Sequence, residues 1–330
     1  MSFRDPDRLV PALTAVAAAA APAILIALVA VLAVVAAPAI RFNGPGFLFG
    51  RTWSFGDIYG SAVVHRAGAV APAGAVYGSL VFWLGTIATS LLALLIAVPL
   101  ALGAAVYLTE FAPRRVAAAV SVVVELLAGV PSVVFGLWGV SVVVPAVAGA
   151  VGPTLSHLVG GRGWLGGPVG AGFGLLAAGL VLAIMVLPIV TAMARDVLAS
   201  VPTDLREQGL ALGLTDWELV RHVLLPEARV GLVGAVTLGL GRALGETMAV
   251  LMVCGNAVNI LPVNLYAPVG TMAATIVAQL DSAMTDPTGM AVRALAELAL
   301  LLMAITLATN VLGTRILGRG PANLFGRART

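Results

Sequence analysis

The chain contains no lysine: all 18 of its basic residues are arginine. A Walker A nucleotide loop and Schiff-base chemistry both require lysine, so neither resides here, and any ATP that drives this protein is hydrolysed in another subunit. A single cysteine, Cys254, excludes an intrachain disulfide and a two-cysteine metal site. The three histidines, His65, His157 and His222, are scattered without metal-ligand spacing. Charge is scarce: 10% of residues carry it, the net charge is +3, and no basic tract is dense enough to follow a nucleic acid backbone.

What is present instead is apolar length, with 60% of the residues hydrophobic. A bilayer core of about 30 Å needs about 20 helical residues. The charge-free runs 12–40 and 76–109 exceed that, and 116–147, 173–194, 230–258 and 294–317 read as further spans. The expectation is an all-α integral membrane protein of six transmembrane helices. Arg4 and Arg8 ahead of an Ala-rich stretch imitate a secretory signal, but a run nearer thirty residues than fifteen favours a retained anchor.

Placing both termini in the cytoplasm puts Arg4, Arg8, Arg114, Arg115, Arg195, Arg206, Arg221, Arg229, Arg315, Arg319, Arg327 and Arg329 inside and Arg41, Arg51, Arg66 and Arg162 outside. That is twelve against four, in the sense of the positive-inside rule. The loop 41–75 reads as an ordered outer segment with turns, the glycine-rich stretch 160–170 as a flexible outer loop, and 259–286 as a short re-entrant or interfacial helix.

The densest charge lies at 204–226, expected inside. Asp204 is expected to cap a short helix with Glu207 three positions on, and Gly213 to end it in a left-handed conformation. Thr215 and Glu218 form a second capping box, Leu214 and Leu219 a hydrophobic staple, and Pro226 a stop. Leu219, Val220, Val223 and Leu224 make an apolar stripe that needs a partner. The plain alternative is an amphipathic helix lying on the membrane.

Chemistry inside the bilayer is expected on two spans. Glu125 falls about 14 Å into the third from its cytoplasmic start, and Pro131 with Ser132 predicts a kink at mid-membrane. In the fifth, Arg242 lies about 18 Å deep and Glu246 follows four residues on, on the same helix face. A guanidinium stays charged and suits a tetrahedral oxyanion in bidentate fashion, and a carboxylate beside it accepts a hydrogen bond that protonated phosphate donates and sulfate cannot. Gly241 and Gly245 leave room for an ion or a close helix. A structural Arg242–Glu246 pair, and a hydrogen-bonded structural Glu125, stand as the alternatives.

The spacing Glu207, Gly213, Val223, Leu225, Pro226 resembles the coupling loop of ABC-importer permeases, with Gln208 and Gly209 where two alanines are usual. Gly129-Val130-Pro131-Ser132-Val133-Val134-Phe135-Gly136 is similar to the third helix of phosphate-importer permeases, and Gly241 to Val250 followed by Gly255-Asn256 resembles the PstC-type more than the PstA-type subunit. The resemblance covers most of the chain from Tyr77 onward. It implies a type I ABC-importer bundle with a cytoplasmic coupling helix, in a bacterial plasma membrane. It also implies a PstA-type second permease, two ATPase copies that use ATP-Mg, and an extracytoplasmic phosphate-binding protein. This chain would bind no cofactor, have no catalytic residue, and pass phosphate inward by alternating access. The expected organisation is an anchor and outer loop at 1–75, a permease core at 76–318 and a cytoplasmic tail at 319–330. Sulfate, molybdate or another oxyanion is an alternative cargo, and a membrane receptor or scaffold without transport an alternative class.

Overall fold

The structure, a computed structural model, describes residues 6–318; the expected tail 319–330 lies outside them. Among the described residues six helices are long and apolar enough to cross a membrane: Leu13–Asn43, Leu80–Phe111, Ser132–Leu158, Leu175–Ala199, Asp216–Leu244 and Met290–Gly313. Contacts divide the chain into two compact units, Met1–Gly78 with Gln279–Leu301, and Ser79–Ala278 with Leu302–Thr330.

In the first unit the loop after the first span is ordered, as expected. It folds into two small antiparallel ladders, Trp53–Ser54 with Val76–Tyr77 and Val63–Arg66 with Ala69–Pro72. Edge-on aromatic contacts among Phe42, Phe47, Trp53, Phe55 and Tyr77 form its small core. Two polar ties close it: Asn43 Nδ2 donates to Glu297 Oε2 at 2.7 Å, and Trp53 Nε1 to Gln279 Oε1 at 2.6 Å. Burial of the Tyr77 phenol, with Asp286 nearby, pushes its pKa up.

The second unit is organised around the fourth span, 72% of whose most apolar window is buried within the chain, against 11% for the first span. Close approach explains this burial. A Cβ on Gly179 would meet Leu92, and one on Gly239 would lie 2.7 Å from Val190 Cγ2, so glycine lets the second and fifth spans seat against the fourth. The first amides of the fourth span find partners in an irregular stretch, Leu175 N donating to Ala267 O and Leu176 N to Leu265 O. The helix Met272–Met284 realises the short helix expected within 259–286, and Thr86 Oγ1 on the second span accepts from Met272 N at 2.9 Å.

Three expectations are corrected. The stretch 116–147 is not one span: a helix Arg114–Ala128, with no buried residue, ends at Gly129, and a new helix begins at Ser132 behind Pro131. Proline has no amide to donate and its ring clashes with the preceding turn, so at this point the chain breaks instead of kinking. The fifth span is likewise not continuous to 258; its helix Leu225–Leu244 ends at Gly245 and a six-residue helix, Met248–Val253, follows. Finally, Pro226 stops nothing. A wide i→i+5 turn at Val220–Leu224 precedes it and Pro226 sits in the first turn of Leu225–Leu244, where a missing amide costs little.

Candidate functional site

The loop 204–226 folds as a knob of two short helices. The first, Thr203–Ala211, is capped by Pro202 with no side-chain hydrogen bond, so Asp204 lies inside the first turn and is not the cap. Proline's fixed φ suits that junction, and an acidic residue in the first turn still meets the favourable end of the helix dipole. Gly213 turns left-handed with φ +84° as expected. The capping box of Thr215 and Glu218 is complete: Thr215 N donates to Glu218 Oε2 at 2.9 Å, and Glu218 N to Thr215 Oγ1 at 3.4 Å. Leu214 and Leu219 converge over Gly209, where an added Cβ would meet Leu219 Cδ1 at 2.6 Å, so the position has no room for alanine's methyl unless Leu219 shifts.

The apolar stripe finds its partner within the chain. Leu219, Val220 and Leu224 are buried with Ala105, Ala194, Leu198 and Val201 from the second and fourth spans and the link that follows them, and Val223 and Leu225 pack against that cluster. Glu207, Gly213, Glu218 and Pro226 stay exposed. So do Leu210, Leu212 and Trp217, Leu212 to 83% of its surface. The outward face of the knob therefore joins carboxylates to large apolar side chains, a combination suited to a protein partner.

The second assembly is the break in the fifth helix. Arg242 lies in the last turn of Leu225–Leu244, exposed, where its charge complements the carbonyl end of the helix dipole. Glu246 is not on its face; it sits buried in the interruption, and its Oε1 accepts from Ala249 N at 3.3 Å, serving the start of the next helix. Among the described residues no ion pair joins Arg242 to Glu246. Neither Gly241 nor Gly245 is a tight packing point: a Cβ on Gly241 would lie 3.6 Å from Asn310 Oδ1, at ordinary contact distance, and one on Gly245 would meet only its own helix backbone. A glycine that does pack closely against the helix after the break is Gly136 on the third span, whose Cβ would lie 2.7 Å from Met252 Sδ and 3.0 Å from Ala249 Cα.

Glu125 and Ser132 are not brought to this break by any hydrogen bond or ion pair among the described residues. Glu125, on the separate helix Arg114–Ala128, pairs with Arg195 at 3.1 Å, four residues from the end of the fourth span, so it sits near two helix ends and outside the third span. Arg195 also holds Asp196 at 2.9 Å. Ser132 starts the third span half-buried.

Residues 97–318, which include both assemblies, match the family of binding-protein-dependent transport system inner membrane components. The chain belongs to this family. It is 51% identical over 84% of its length, and 82% of the relative's, to the phosphate transport system permease protein PstC 1 of Mycobacterium tuberculosis. It is 43% identical to PstC of Haemophilus influenzae over 70% of its length and 72% of that protein's. Among solved structures it is similar to a chain of the inward-facing methionine ABC transporter MetNI, at 24% identity, TM-score 0.48, covering 71% of this chain and 90% of that one. As a family member the chain is a multi-pass membrane permease, and the knob and the broken helix both lie within the matched core.

Three residues escaped sequence reasoning. Arg206 and Glu110 form an ion pair at 3.1 Å, and Asn310 on the sixth span faces Gly241. A signal existed for Asn310, an amide in an otherwise apolar run. Nothing local joins Glu110 to Arg206, 96 positions apart (206 − 110).

Proposed function

We propose that this permease carries inorganic phosphate inward by alternating access, driven by ATP that a separate subunit pair hydrolyses. The observation that carries the reading is the 51% identity, over 84% of the chain, to a protein named as a phosphate transport permease. The geometry supports it in two places. A helix that ends inside the core leaves Arg242 exposed beside Gly241 and Gly245, neither of them tightly packed, with a permanent charge open to an oxyanion. A charged residue within a spanning segment is costly unless it faces a wet path or a partner, which suits a lining role for Arg242. Glu246 acts first as a cap of Met248–Val253 and shapes the break; Glu125 holds its helix to the fourth span, and Ser132 opens the third span beside it.

In this reading residues 1–75 anchor the chain and reach outward to a phosphate-binding protein, 76–318 form the permease core, and both termini lie in the cytoplasm. A PstA-type permease completes the pathway from the other side. The knob presents Glu207, Leu212, Trp217 and Glu218 to an ATPase that binds ATP-Mg. Short capped helices suit that task because a rigid element transmits displacement that a floppy loop absorbs.

Reconstitution tests the reading. Vesicles holding this chain, a second permease, the ATPase pair and the binding protein should take up radiolabelled phosphate in strict dependence on ATP. Preferential uptake of sulfate or molybdate would reassign the cargo. Absence of any uptake with intact assembly would favour a receptor or scaffold.

A further inference from the structure

Arg206 stands one residue before Glu207 in the knob, but it points the other way. Its Nη2 donates to Leu198 O at 2.8 Å, at the end of the fourth span, and lies 3.1 Å from Glu110 Oε1, at the end of the second. Both side chains are largely buried, 23% and 12% exposed. Glu110 belongs to a wide i→i+5 turn, Tyr107–Phe111, a local departure from α geometry often found where helices do work. One guanidinium thus touches three elements: the knob helix Thr203–Ala211, the fourth span and the second span.

The contact is not a bidentate fork. Arg206 Nε and Glu110 Oε1 are buried without a hydrogen bond, so charge at close range, not an interlocked bidentate pair, holds the second span to the knob. An apolar cluster, Ala105, Ala194, Leu198, Val201, Leu219 and Leu224, joins the same elements, and the Asp216 carboxylate stands within electrostatic range of Glu110. Apolar burial holds elements together without itself fixing an orientation between polar groups. A charge pair with a carbonyl contact adds a directional element to that layer.

We propose that Arg206 and Glu110 are positioning residues that transmit displacement of the knob to the end of the second span, and so set how much phosphate moves per ATP. The inference rests on the functional reading above. It makes a distinction that stability alone does not. Removing one partner strands a buried charge and damages assembly, whereas removing both restores a neutral interior.

The experiment uses the complete reconstituted complex, with phosphate uptake and ATP hydrolysis measured in the same vesicles. Glu110→Gln with Arg206→Met should assemble and hydrolyse ATP while the ratio of phosphate to ATP falls about tenfold, within the range of coupling between distant sites. Exchanging the charges, Glu110→Arg with Arg206→Glu, should recover part of that ratio. A double neutral variant with the wild-type ratio overturns the inference alone. A wild-type complex that hydrolyses ATP and moves no phosphate overturns the functional reading, and this inference with it.

Discussion

The knob at 203–226 and the break at 245–247 are both interruptions between helices, but they close in opposite ways. The knob satisfies itself locally: Thr215 and Glu218 exchange hydrogen bonds, Gly213 supplies the left-handed turn, and Leu219 and Leu214 cover Gly209. Only its outward face is left over. The break is built by distant residues, Gly136 of the third span pressing on Ala249 and Met252, and it leaves Arg242 exposed. One region is a finished part that offers a surface; the other is a helix interruption that leaves a charged side chain exposed beside a buried carboxylate.

Replacing Arg242 tests the opening most severely. Arg242→Ala should lower phosphate uptake roughly ten- to hundredfold, the worth of a hydrogen bond to a charged group, while assembly and basal ATP hydrolysis persist. Unchanged uptake would make the break a structural feature only. Next in size is Gly136→Leu, which drives a side chain into Met252 and Ala249. Overpacking of this kind costs about 1–3 kcal/mol, so the thermal midpoint of the purified complex should fall, and uptake should fall with it because the break is distorted.

The knob should answer differently. Gly213 holds φ +84°, and a residue with a Cβ there costs about 1–2 kcal/mol. Gly213→Val should leave membrane insertion intact and ATP hydrolysis running while uptake per ATP drops. Loss of both activities together would mean that the residue serves folding, not coupling. The smallest effect belongs to Thr215→Ala, which removes half the capping box at a cost of about 1 kcal/mol. Hydrogen exchange should rise at residues 215–218 and nowhere else in the core.

The same contrast explains what was legible in the sequence. Gly213, Thr215 and Glu218 were readable because their chemistry closes within four residues, and the apolar runs were readable because length and composition alone define a span. Asp204 was misplaced because Pro202 had already taken the cap, and Pro226 because a wide turn ahead of it accommodates the missing amide. The stretch 116–147 misled because hydropathy counts residues and is blind to a break at Gly129 and Pro131. Arg242, Glu246, Gly241 and Gly245 stood out as a string, but their geometry did not. A continuous helix would have set Arg242 and Glu246 on one face, and the turn at Gly245 separates them. Its supports, Gly136 and the amide of Ala249, lie on other elements or beyond the turn.

Leu212 offers the most direct test of the claim that the exposed knob face receives the motor. It is 83% exposed, so Leu212→Cys in a Cys254→Ser background places one reporter on that face. A membrane-impermeant thiol reagent should label it only from the cytoplasmic side, and bound ATPase should protect it. Labelling from the outer side, or full labelling with the ATPase bound, would contradict the account.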